Sequence, residues 1–265
     1  LRRHSELLAV LTSISKEHDM NRSMMFTAIV LISTAMSAQT VSFGLAPQMT
    51  SWSDTASSDS QLIVNGSKSA NATATRTVNR SKTTCVVAAD AKGRAESVLV
   101  TYAAATRDGV GLSVAGREYL VRRTAKNIVV TYADGTAPDA EEAAFVASDN
   151  THFARFAAMQ RIFAGKTFTV GTSFQPSAID ATELANLSDG SRVRNLALTL
   201  RSVTDGVATF DVSATIDAER RMSVVLNGTL EVMVATSLPR RYQVAGAIRS
   251  AQVAGSAAMQ IDYAF

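Results

Sequence analysis

The chain has 265 residues with 26 basic and 23 acidic side chains, a near balance that gives nucleic-acid binding no support. It is long enough to bury a core without disulfide staples. One cysteine, Cys85, and one histidine beyond residue 38, His152, leave too few ligands for a structural zinc site, and no cofactor is expected.

In chain order, Met20-Asn21-Arg22-Ser23 is a short cationic start, and Met24 to Met36 is an apolar run of 13 residues. Small residues follow at Ser33, Thr34, Ala35, Ser37 and Ala38. Cationic, apolar, then small is the order of a secretory signal peptide, placed at 20–38. The run is too short to span a bilayer, which takes ~20 residues. Cleavage is expected between Ala35 and Ala46, leaving a soluble protein in a periplasmic or extracellular compartment. Residues 1–19 read as an untranslated stretch before Met20, or as an extended n-region.

Residues 39–75 are rich in Ser, Thr, Ala and Asn, with Leu62-Ile63-Val64 the exception. Such composition buries little, so this stretch reads as a linker before a β-rich domain at 76–265. Thr77–Ala89 and Glu96–Ala103 read as a hairpin turning at Asp90-Ala91-Lys92-Gly93. Arg117–Arg123 and Asn127–Ala133 form a second pair, ending at Asp134-Gly135. Gly109 to Gly116 has the wrong glycine spacing for a dinucleotide loop and reads as a connection. Pro138-Asp139-Ala140-Glu141-Glu142 opens a helix. A second helix, capped by Asp149 or Asn150, carries Phe153, Phe156, Ala157 and Phe163 at helical spacing. Ala178–Leu187 offers a third.

The last third alternates. Ala208, Phe210, Val212, Ala214 and Ile216 interleave with polar residues, so one face of the strand is dry. Arg192–Val203 precedes it through Thr204-Asp205-Gly206. Met222, Val224, Leu226, Leu230, Val232 and Val234 repeat the pattern, with Gly228 as a bulge or bend, and Tyr242–Arg249 follows. Strands of about 12 residues are long against a usual 5–6. The fold class is therefore mainly β: a long-stranded antiparallel curved sheet, or a partly open barrel or sandwich. Two or three short helices interrupt it, and two hairpin-rich halves flank helices at 138–163.

No catalytic arrangement stands out. His152 is the sole base available to a serine nucleophile and reads as a capping or surface residue. Cys85, in a β run, reads as buried and inert, with an intermolecular disulfide as the alternative. Arg192/Arg194, Arg220/Arg221 and Arg240/Arg241 mark strand ends, where a solvated edge that discourages aggregation is the first reading and an anion-binding rim the second. Met259, Ile261, Tyr263 and Phe265 alternate to an aromatic end and resemble the closing strand of an outer-membrane barrel.

Gly165-Lys166-Thr167-Phe168-Thr169-Val170-Gly171, followed by the long hairpin at Thr204-Asp205-Gly206, resembles a loose group of exported bacterial β domains of unknown function. A long-stranded sheet with a few helices is also similar in layout to periplasmic lipoprotein carriers, whose curved sheet holds acyl chains. The resemblance implies no catalytic residues. The expectation is a non-enzymatic exported domain that binds a lipid or other apolar ligand, or an envelope protein, on a concave sheet. The candidate lining is Phe210, Val212, Val224, Leu226, Val232 and Tyr242. The alternatives are an outer-membrane β-barrel and a carboxylate-based hydrolase.

Overall fold

The structure is a computed structural model, and it describes residues 39–45, 50–64, 72–90, 95–124, 127–150, 155–185, 192–218, 222–250 and 253–265. One open antiparallel sheet dominates it, running β7-β6-β4-β3-β2-β14-β13-β12-β11-β10-β9. The long strands are β2 (Ser51–Val64), β3 (Ala72–Ala89), β4 (Ala95–Arg107), β10 (Arg192–Thr204), β11 (Val207–Ala218), β12 (Met222–Met233), β13 (Pro239–Arg249) and β14 (Val253–Ala264). Shorter strands complete the edges: β6 (Glu118–Arg123), β7 (Ile128–Tyr132) and β9 (Ser173–Phe174), with β5 (Val110–Gly111) hanging on β4. A separate pair joins β1 (Thr40–Ser42) to β8 (Thr167–Thr169). Three helices follow β7 and flank β8 and β9: α1 (Ala140–Asp149), α2 (Arg155–Phe163) and α3 (Ala178–Ala185).

The expected fold class therefore holds: mainly β, antiparallel and long-stranded, with three short helices and an unclosed sheet among the described residues. The β10–β11 hairpin turns on Asp205 and Gly206 with φ of 50° and 74°, the two positive values an Asp-Gly hairpin turn requires. Gly228 causes no bulge in the β11–β12 register. Its place is a close approach instead, since a Cβ there would lie 1.9 Å from the Gln243 carbonyl oxygen.

The expected linker at 39–75 holds strands among its described residues. Residues 51–64 are β2, the strand that joins the two halves, paired to β3 on one side and to β14 on the other. Composition misled because β2 turns small and polar residues, Asp54, Ala56 and Ser58, toward the inner face, and two fully paired neighbours supply the order that apolar burial usually provides. The preceding segment is also built in. Phe43 is 3% exposed, with its ring 5.3 Å from Phe163 and 5.6 Å from Phe168. Asp149 and Asn150 do not cap the second helix; they are the last residue and the C-cap of α1, whose own N-cap is Asp139.

Apolar side chains gather on the inner face of the sheet in two cores. The C-terminal one packs Leu198, Leu200, Phe210 and Leu230 against Met159 and Phe163 of α2 and Leu184 of α3. The N-terminal one packs Val98, Val100, Tyr102, Tyr119 and Val121 against Val146 of α1. Trp52 of β2 and Tyr263 of β14 bridge them, each edge-on to Phe156, with centroids 4.7 Å and 5.8 Å away.

The outer face is charged. Arg241 pairs with Asp262, and Arg194 and Arg201 reach Asp217 and Asp211 across neighbouring strands at 2.7 Å and 3.2 Å. A membrane barrel needs the reverse, an apolar band outside. β14 is a central strand rather than a closing one, and Met259 and Ile261 face the protein core.

Candidate functional site

Helix α1 is fastened to the sheet differently from the other two. α2 and α3 bury Met159, Ile162, Phe163, Ala181 and Leu184, whereas α1 buries only Val146 and Glu142. Val146 and the half-buried Phe145, whose ring lies 5.8 Å from Tyr102, give α1 its apolar contact, and polar groups fasten it at both ends.

At the start of α1, Asp139 caps the backbone, its Oδ1 accepting from the Glu142 N–H at 2.8 Å. The Glu142 side chain turns inward. Its Oε1 accepts from Arg117 Nη1 at 2.7 Å, and its Oε2 from the Tyr132 and Tyr119 hydroxyls at 2.6 Å and 3.3 Å. Burial favours the neutral acid, but hydrogen bonds from Tyr132 and Ser113 and the charge of Arg117 outweigh it and hold Glu142 below the usual carboxylate range.

At the other end, Asp149 and Asn150 meet a second cluster. Alternation along β3 places Arg80 and Lys82 on the same inner face, both buried. Arg80 donates through Nη1 to Asp54 of β2 and through Nε to Asp149 Oδ1. Lys82 Nζ donates to Asp149 Oδ2 at 2.7 Å, to Asn150 Oδ1 at 2.7 Å and to the Asp149 carbonyl at 3.1 Å. The Tyr102 hydroxyl donates to Asp149 Oδ2 at 2.8 Å and accepts from Asn150 Nδ2 at 2.9 Å. Two cations and two anions cancel.

The titrations follow from this packing. Burial opposes the Asp149 charge, but Lys82 and Arg80 outweigh it and hold the carboxyl below its ordinary value. Burial lowers the Lys82 ammonium despite the Asp149 carboxylate, and burial and Asp149 together push the Tyr102 phenol up. Lys82 Nζ reaches three acceptors, one for each proton of an ammonium.

Of the six residues proposed to line an apolar site, Phe210, Val212, Val232 and Tyr242 are buried in the C-terminal core. Phe163 and Phe43 pack directly on Phe210, with centroids 5.0 Å and 6.1 Å away, so that part of the inner face is a filled core. Val224 and Leu226, farther along β12, are half-buried. A cleft of about 390 Å³ lies on the opposite, outer face, among Ser57, Asp59, Asn227, Gln243 and Gln260.

The remaining candidates are placed as follows. Cys85 is exposed rather than buried, because odd-numbered residues of β3 here point outward while Lys82 and Thr84 point in. Arg192 and Arg194 share Asp217, and Arg240 and Arg241 pair with Glu231 and Asp262; β13, which carries the latter two, is an interior strand rather than a sheet edge. Arg220, Arg221 and His152 lie outside the described residues. Among the described residues no three potential metal ligands of the His, Cys, Asp and Glu type come together.

No protein-family model matches the chain, and no curated protein matches it in sequence. Function has to be argued from the geometry. Sequence reading missed the Arg80–Lys82 cluster, whose one signal is the i, i+2 spacing of two cations within a strand.

Proposed function

We propose that the chain is an exported, non-enzymatic domain that binds an apolar ligand on the inner face of its sheet. The site moves from the C-terminal half, where the core is filled, to the N-terminal half beneath α1. The observation that carries this reading is the way α1 packs on the core of Val98, Val100, Tyr119 and Val121: Val146 and the half-buried Phe145 are its apolar contacts, and two carboxylates fasten its ends. Whatever takes the place of the helix must satisfy the polar groups its ends release, which favours a ligand that carries a polar head as well as an apolar tail.

Native mass spectrometry of the protein purified from the envelope fraction tests this. A bound lipid mass, or binding of dodecanol by the lipid-free protein, is the expected result. A chain that carries nothing and takes up no dodecanol would overturn it.

A further inference from the structure

We propose that Arg80, Lys82 and Tyr102 form a receptor for the carboxylate head of an amphiphile such as a fatty acid, and that Asp149 fills it while no ligand is bound. This rests on the reading of the inner face as an apolar binding surface, and adds the chemistry of the head group.

Three donors from two adjacent strands converge on one carboxylate: Arg80 Nε on Oδ1, and Lys82 Nζ and Tyr102 OH on Oδ2 at 2.7 Å and 2.8 Å. Every other charged member of the cluster belongs to the sheet. When Asp149 leaves, Arg80 keeps Asp54, so the sheet is left with two cations against one anion. That single uncompensated positive charge, buried, is what one carboxylate neutralises.

Asp149 is moreover the last residue of α1, where the negative end of the helix dipole disfavours an acid. Its position is explained by the cations opposite, not by the helix. Tyr102 shares its core with Val98, Val100 and Val121, so withdrawal of Val146 and Phe145 would offer apolar surface to an unbranched tail beside this charge. An anionic head alone would lack the apolar contact, and a neutral apolar molecule would leave Lys82 without a counter-ion.

The test titrates laurate and dodecanol into the full lipid-free protein and into its Asp149→Asn variant. Laurate is expected to bind the parent chain more tightly than dodecanol. Asn at 149 should tighten laurate on the order of tenfold, the scale of a lost charge-assisted competitor, with laurate still bound more tightly than dodecanol. Hydrogen exchange of residues 140–150 in the parent chain should quicken with laurate, a readout that does not depend on the variant folding. Equal binding of the two probes, or unchanged or slower exchange of α1 with laurate bound, would sink the head-group receptor while leaving an apolar site intact. Binding of neither probe would sink the apolar site as well.

Discussion

Glu142 and Asp149 stand seven residues apart on α1, about two turns, and both carboxylates point into the sheet. Between them only Val146 is a buried apolar contact. The helix is thus clasped at its ends, and each clasp draws its partners from different strands: Arg117, Tyr119 and Tyr132 at one, Arg80, Lys82 and Tyr102 at the other.

The two cations of the second clasp are unequal. Arg80→Met strands both Asp54, which is 5% exposed, and half of the Asp149 interaction. Breaking a buried pair from one side costs about 3–5 kcal/mol. Lys82→Met leaves Asp149 with Arg80 and Tyr102 and should cost about 1–3 kcal/mol. Urea unfolding of the two variants orders them; a larger loss at Lys82 would refute the assignment of Asp54 to Arg80.

Acid should loosen the helix. Glu142 and Asp149 are both held below their ordinary values, so their contribution is complete above the unfolded-state values near ~4 and is lost as pH falls through the lower folded values. The urea midpoint of the parent chain should fall more steeply below about pH 4 than that of the Glu142→Gln/Asp149→Asn double variant. Asp262 shares the downward shift and will leave some acid dependence in both. Parallel curves would mean that neither clasp titrates as described.

Where β12 and β13 cross most closely, Gly246 has no room for a methyl group. A Cβ would lie 1.8 Å from the Val225 carbonyl oxygen. Gly246→Ala should destabilise by about 1–3 kcal/mol, the usual cost of overpacking. Ala245→Gly next to it, on the exposed face, serves as the comparison in thermal melts, and equal losses would show the approach to be slack.

Under the proposed export, Phe43 constrains where a leader could be cleaved. Its ring is locked among Phe163, Phe168 and Phe210, and β1 just before it pairs with β8. A mature protein that keeps this fold must begin no later than Gln39, toward the front of the interval in which cleavage is expected. N-terminal sequencing reads the position directly. Phe43→Ala should cost about 3–5 kcal/mol in urea unfolding; a start beyond Phe43 in a stable mature protein would contradict its place in the core.

Cys85 is exposed on β3 and should react with a maleimide in the native state as fast as in urea. Labelling that waits for denaturant would contradict the outward register of Ser51, Cys85 and Leu99.

The last third of the fold was legible because Phe210, Val212, Val224 and Val232 alternate with polar residues. Alternation reports which face is dry, not what dries it. The same residues served equally well as a ligand wall and as a bed for Phe163, and only the helix positions decide between them. β2 was illegible for a different reason: Ser57, Ser58 and Ser60 carry no apolar period, and the strand owes its order to its neighbours, β3 just after it and β14 far along the chain. The Arg80–Asp149 cluster assembles from β2, β3, β4 and α1, so no single stretch of sequence contains it. Arg80-Ser81-Lys82 was visible, but its partners were not.

The pairing of β2 with β14 sets Ser53 beside Ala264, so the two ends of the domain meet in the middle of the sheet. Contacts that remote in sequence carry a high loop-closure entropy and form slowly. A chain released lengthwise would therefore hold β2 as a bare, adhesive margin until β14 had been made, and a nonsense mutation just before Val253 would leave two half-sheets with nothing to zip them together.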